Sequence, residues 1–251
     1  YSAGLMHLNV MNGVGGDAPA RVSSVQGRVS FRLSPGMQLV ASFFGVDSFS
    51  KLNTDPQAIS DYPAGILPAV PLSNSNVGRA TYIPSINDPD YTRSGRFETG
   101  TLKLLGQPTS KLGYTVDYQV VNSTRRYGNG PAGAGYQPDG NTLSDYNGRI
   151  QTVEARGNYQ AGAKNLLTGG YEYQRENFNS SSAAALEPGS NSFTDANQSS
   201  STAFAQDQAR FFSDRLYVSA TFRAQLFSLQ QPTFAPLTNA PYQRLNVAAP
   251  P

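Results

Sequence analysis

The amino-acid sequence predicts an all-β chain, an antiparallel up-and-down sheet of the transmembrane β-barrel kind. Three observations predict it. Apolar and polar residues alternate over stretches of about eleven residues, the length of a tilted strand crossing a bilayer. Short turns and long polar loops take turns between those stretches. Helix signals are almost absent, with Gly 24 and Pro 17 spread along 251 residues.

The alternation defines about nine strands. The first, near 3–12, sets Met6, Leu8 and Val10 against His7 and Asn9. The second, near 22–33, sets Val25, Gly27, Val29, Phe31 and Leu33 against Ser24, Gln26, Arg28, Ser30 and Arg32. The third, near 38–50, has mixed parity because Phe43 and Phe44 are adjacent. The fourth, near 95–106, sets Gly100, Leu102 and Leu104 against Thr99, Thr101 and Lys103. The fifth, near 112–122, sets Tyr114, Val116, Tyr118 and Val120 against Thr115, Asp117 and Gln119.

The sixth, near 149–160, sets Val153, Ala155, Gly157 and Tyr159 against Thr152, Glu154, Arg156 and Asn158. The seventh, near 166–178, sets Leu167, Gly169, Tyr171 and Tyr173 against Thr168, Glu172 and Gln174. The eighth, near 200–211, is ambiguous in face. The ninth, 216–226, is the most regular. Leu216, Val218, Ala220, Phe222, Ala224 and Leu226 alternate with Tyr217, Ser219, Thr221, Arg223 and Gln225.

Tight turns are predicted at Ser34-Pro35-Gly36, Gln107-Pro108-Thr109-Ser110, Ala161-Gly162-Ala163-Lys164 and Ser213-Asp214. Long polar loops are predicted near 51–93, 123–147 and 179–199, with one helical turn at 182–186. Loops of that length are awkward inside a compact soluble domain. They are natural on the outer side of a membrane barrel.

Alternation alone does not say which face meets water. A soluble β-sandwich turns its apolar face to a core, and a barrel turns it to lipid. The glycines on the apolar faces would leave gaps in a close-packed core, whereas lipid tolerates an uneven wall. Tyrosines on those same faces suit an interfacial girdle. The polar faces carry Arg28, Arg32, Lys103, Asp117, Glu154, Arg156, Glu172 and Arg223 and are expected to line a wet lumen.

Composition excludes several classes. Only 38% of residues are hydrophobic and no run is long enough for a membrane-spanning helix. A net charge of +2 without basic runs argues against nucleic acid as a partner. Cys 0 removes disulfides and thiolate metal sites. With His7 the sole histidine, a Ser-His-Asp triad has little to build on, and the expectation is a protein that is not an enzyme.

Binding residues are sought in loops. Tyr82, Asp88, Asp90, Tyr91 and Arg93 combine rings and charges that could grip a small solute. Asp139, Asn141 and Asp145 have oxygen spacing that could hold Ca²⁺, although the Glu-terminated calcium loop is missing. A plain turn is the simpler account, and no cofactor is otherwise expected.

Residues 200–226, with Phe204, Gln206, Asp207, Ser213, Asp214, Arg215, Leu216 and Arg223, resemble a hairpin of TonB-dependent outer-membrane receptors, nearest the vitamin B12 transporter type. Residues 24–34 and 169–173 resemble the same family. The resemblance implies a bacterial outer-membrane location, a barrel of about 22 strands and an internal plug that communicates with the TonB complex. It implies energised uptake of a scarce solute, such as a siderophore, cobalamin or oligosaccharide, with outer-membrane lipid around the wall. Without a plug or closing strands, the whole of 1–251 is expected to be an internal piece of the barrel domain. The alternative is a soluble extracellular β-sandwich or adhesin-like binding module.

Overall fold

A computed structural model describes residues 1–11, 19–51, 91–130, 142–184, 191–213 and 215–235. They form one antiparallel sheet of nine long strands and a short tenth. In chain order these are β1 (Ser2–Val10), β2 (Ala20–Ser34), β3 (Met37–Lys51), β4 (Thr92–Thr109) and β5 (Leu112–Asn129). Then follow β6 (Thr142–Ala161), β7 (Asn165–Ala184), β8 (Ser192–Phe211), β9 (Leu216–Leu229) and β10 (Thr233–Ala235). From β1 to β9 each strand pairs with the next. β10 lies beyond the end of β9 on the same edge of β8. The break falls at Pro232, which has no N–H to give to the ladder.

The strands are longer than their alternation suggested. β6, β7 and β8 each run 20 residues. Segments 123–129 and 142–147, expected in a loop, are paired strand, as are 179–184 and 192–199. The helical turn expected at 182–186 is corrected, because Ser182–Ala184 belong to β7. Polar Ser and Asn residues hide a strand when both of its faces are wet. Ladder hydrogen bonds need no apolar face.

Four tight turns stand at one end of the sheet. Thr109 Oγ1 accepts from the N–H groups of Lys111 (3.3 Å) and Leu112 (3.1 Å), which closes β4 onto β5. Gly162 takes φ +76° between β6 and β7, a conformation cheap only for glycine. The β8–β9 turn uses Phe212 (φ 54°) and Ser213 (φ 55°), so two side chains sit in the left-handed region that hairpin turns demand.

Register carries one set of faces across the sheet. One rung runs Phe31, Leu39, Leu104, Val116, Ala155, Tyr171, Ala203, Ala224. The opposite face carries the rung Ser30, Val40, Lys103, Asp117, Glu154, Glu172, Thr202, Gln225. The polar face is the more enclosed one: Val40, Thr115, Ser200 and Thr202 are buried there, against Ala209 beside the turns on the apolar face. The apolar face is open, with Phe222 at 68% and Tyr159 at 48% exposure. A methyl added at Gly157 would meet nothing within 4 Å. This inverts the arrangement of a sandwich packed around an apolar core.

β1 departs from the pattern. Leu5 pairs with Val25 and Met6 with Ser24, so Met6, Leu8 and Val10 lie on the polar face. His7 lies on the apolar side, where Nδ1 is 2.8 Å from Ser23 Oγ. The mixed parity of β3 resolves into Phe43 on the apolar face and Phe44 on the polar face. There Phe44 tilts against Phe97, with centroids 6.3 Å apart.

Candidate functional site

The open face is zoned along its length. From the tight turns inward it is apolar, over Leu112–Val120 on β5 and Leu216–Leu226 on β9. Nine to eleven strand residues tilted by about 45° span about 25 Å, the height of a lipid-facing band. Above that band the same face turns polar, to Asn122 on β5, Gln151 on β6, Arg175 on β7 and Ser228 on β9. Tyr118 and Tyr173 mark the border, and Gln151 Nε2 donates to Tyr118 Oη at 2.9 Å. Asp207 is the exception near the turns. It lies on the apolar face and accepts from Asn165 Nδ2 at 3.3 Å.

All eight charges assigned to the polar face share it. Lys103, Asp117, Glu154 and Glu172 share one rung, and Arg156 and Arg223 share the next with Arg32. Arg28 lies further along β2 on the same side. Lys103 Nζ meets Asp117 Oδ1 at 3.1 Å, outside hydrogen-bond geometry. Among the described residues Glu154 and Glu172 form no ion pair. Asp117, Glu154 and Glu172 therefore stand side by side with one cation at the end of the row. Like charges directly opposite each other on a sheet repel. Beside them the Thr202 hydroxyl is buried without a hydrogen-bond partner.

Toward the loop end of the polar face lies a cavity of about 770 Å³. Tyr91, Tyr127, Tyr146 and Phe178 wall it, with Arg125, Ser123 and Ser144 among them. Adjacent strands set these side chains on one face: Tyr127 is opposite Ser144, Arg125 opposite Tyr146, and Gly148 opposite Phe178. Gly148 leaves the floor open, since a methyl there would meet nothing within 4 Å. Tyr127 and Tyr146 meet edge to face at 6.1 Å. The Arg93 guanidinium lies 5.5 Å from the Tyr127 ring centre. The nearest carboxylate on this face of β7, Glu176, lies two residues from Phe178 and accepts from Gln198 at 2.6 Å.

Of the residues expected to contact a solute, Tyr91 and Arg93 are brought to this cup. Tyr82, Asp88 and Asp90 lie outside the described residues, as do Asp139 and Asn141 of the calcium expectation. Asp145 sits on β6 with Oδ1 2.6 Å from Arg126 Nε, on the open face. Tyr127, Tyr146 and Arg125 were missed because their segment read as loop, and Phe178 because it closes a predicted strand whose polar-face partners lay in that loop. The signal was there: Arg125 and Tyr127, then Tyr146 and Gly148, keep the parity of the polar face.

No family model matches the chain, and no curated protein does. Solved structures do. The ferric preacinetobactin receptor BauA from Acinetobacter baumannii superposes with a TM-score of 0.56 at 10% identity, over 93% of this chain and 37% of that one. The ferric citrate transporter FecA in its unliganded form gives 0.46 at 13% identity, over 85% and 33%. The siderophore receptor PiuA from Acinetobacter baumannii gives 0.45 at 12% identity, over 90% and 42%. This chain thus spans well under half the length of each, and at such identities the likeness is one of fold. The chain has the fold of a partial antiparallel up-and-down barrel, a wall of nine long strands like that of the BauA receptor.

Proposed function

We propose that the chain is part of the barrel wall of a TonB-dependent outer-membrane receptor that takes up a scarce small solute. The observation that carries this reading is the inverted sheet, with an open apolar face about one membrane thick and an enclosed polar face bearing an aromatic cup. Open rings and aliphatics outward would be costly in water and cost nothing against lipid. The cup would hold the solute, and rings with two guanidiniums beside them favour a flat, conjugated anion over a neutral sugar. The row Asp117, Glu154, Glu172 would face the plug and receive cations from it. Calcium held through Asp139, Asn141 and Asp145 belongs to the same proposal, and the ion would have to compete with Arg126 for Asp145.

The test is equilibrium binding by the intact protein that carries this chain, read by quenching of tyrosine emission. An anionic ferric catecholate is compared with a neutral corrinoid and a neutral oligosaccharide. Tight binding of the catecholate, weakened about tenfold or more by Tyr127→Ala, supports the reading. Preference for the oligosaccharide, or equal binding by the variant, overturns the cup. A product that stays monomeric in water without detergent overturns the barrel and favours a soluble binding module.

A further inference from the structure

We propose that the open face carries a second site, in which Arg149 and Arg175 hold a phosphate of an outer-leaflet glycolipid against the wall. The inference rests on the outer-membrane placement proposed above. Arg149 on β6 is opposite Asn177, and Arg175 on β7 is opposite Gln151, so the two arginines are diagonal neighbours on one face. Diagonal positions on paired strands stand about 7–8 Å apart, and two long guanidinium side chains that far apart can close on one phosphate.

Their height selects the ligand. Arg175 shares its rung with Val120 and follows Tyr173 by two residues, so it stands at the upper edge of the apolar band. Arg149 stands one rung further out, beside Asn122 and Asn177. That is the level of lipid headgroups, just outside a tyrosine border. Both arginines are exposed, and neither forms an ion pair among the described residues. The other arginines on the polar zone of this face are already engaged: Arg96 with Asp47, Arg126 with Asp145, and Arg21 over Phe49. The carboxylates of the zone are Asp47, Glu98, Asp145 and Asp195, and Asp195 accepts from Asn197 at 2.8 Å. On β6 and β7 the nearest of them is Asp145, two rungs from Arg149 and held by Arg126; Glu98 shares Arg149's rung only from β4, with Asn122 between them, and Asp195 stands on β8 one rung further out. Two unpaired, mutually repelling cations at headgroup height need an anion, and the phosphate of a lipid is the anion fixed at that height.

The experiment places the intact protein in lipid nanodiscs and measures retained lipid by native mass spectrometry. The probes are a diphosphorylated glycolipid, its dephosphorylated form, and inorganic phosphate. Retention of the phosphorylated glycolipid should fall about fivefold in Arg149→Gln or Arg175→Gln and about thirtyfold in the double variant. Arg223→Gln, on the polar face, should leave retention unchanged. Equal retention of the dephosphorylated form, or no loss in the double variant, overturns the site. Displacement of the glycolipid by millimolar inorganic phosphate makes it a free-anion site and overturns the lipid assignment. Failure of the wild-type protein to enter nanodiscs overturns the membrane placement itself, a different result from normal insertion without selective retention.

Discussion

Placing arginine at Val116 separates a lipid-facing wall from a water-facing one. Val116 is the middle residue of the apolar stretch on β5, which runs from Leu112 to Val120, so it sits near the midplane of the band. β5 is flanked by β4 and β6, with Leu104 and Ala155 opposite Val116, so neither neighbour is an open edge. Its side chain is 39% exposed on the open face. Arginine at the midplane of a barrel's lipid face costs about 2–4 kcal/mol, a factor of about thirty to a thousand in the folding equilibrium. Three residues on, Gln119 is exposed on the polar face, and Gln119→Arg should stay within about 0.5 kcal/mol. The assay is reversible folding of the intact protein into phosphatidylcholine bilayers across a guanidinium series. Equal effects at the two positions, or none at Val116, would refute the assignment of lipid to that face.

Three further outcomes follow from local geometry. A side chain at Gly106 would overlap the Tyr114 ring, which crosses the glycine to bring its hydroxyl 3.6 Å from Met37 Sδ. Gly106→Val should therefore cost about 1–3 kcal/mol in denaturant midpoints, while Gly157→Val, facing open space, should cost far less. Phe212→Gly removes a left-handed phenylalanine at the β8–β9 turn and should stabilise by about 0.5–1 kcal/mol; an unchanged midpoint argues against strain there. Neutralising Glu154 and Glu172 together as Gln should loosen the proposed plug, measured as faster entry of a small bulky antibiotic into cells, and unchanged entry would show that the row does not hold it.

The turn-side half of most strands was legible because one apolar and one polar face impose a period of two. Leu216 to Leu226 state it without a break. The adjacent Phe43 and Phe44 defeat the pattern, because the polar face admits a ring wherever another ring, here Phe97, can cover it. Beyond the border both faces are wet, the alternation loses contrast, and 142–147 or 179–184 read as loop although every residue is paired. The cup was half visible for that reason. Tyr91 and Arg93 stood out by residue type, whereas Tyr127, Tyr146 and Phe178 needed the register of β5, β6 and β7 to come together. In β1 the short apolar run could not reveal its own orientation. Met6, Leu8 and Val10 go to the polar face because pairing with β2 fixes their parity.

The two electrostatic features of the polar wall lie at different heights, and that separation matters. Tyr146 precedes Val153, at the border, by seven residues on β6. At about 3.3 Å per residue and a tilt near 45°, the cup stands about 15–20 Å above the apolar band. The carboxylate row, at Glu154, lies just inside it. At physiological ionic strength charges are screened over about 8 Å, so the row does not oppose capture of an anion in the cup. It does oppose the same anion's descent along the wall, because Lys103 covers only the Asp117 end. If the proposed function holds, this wall alone would set capture and passage against each other. In the proposed receptor a cationic plug seated on Glu154 and Glu172 would remove that conflict, and its movement would decide whether the wall below the cup repels the solute or lets it through.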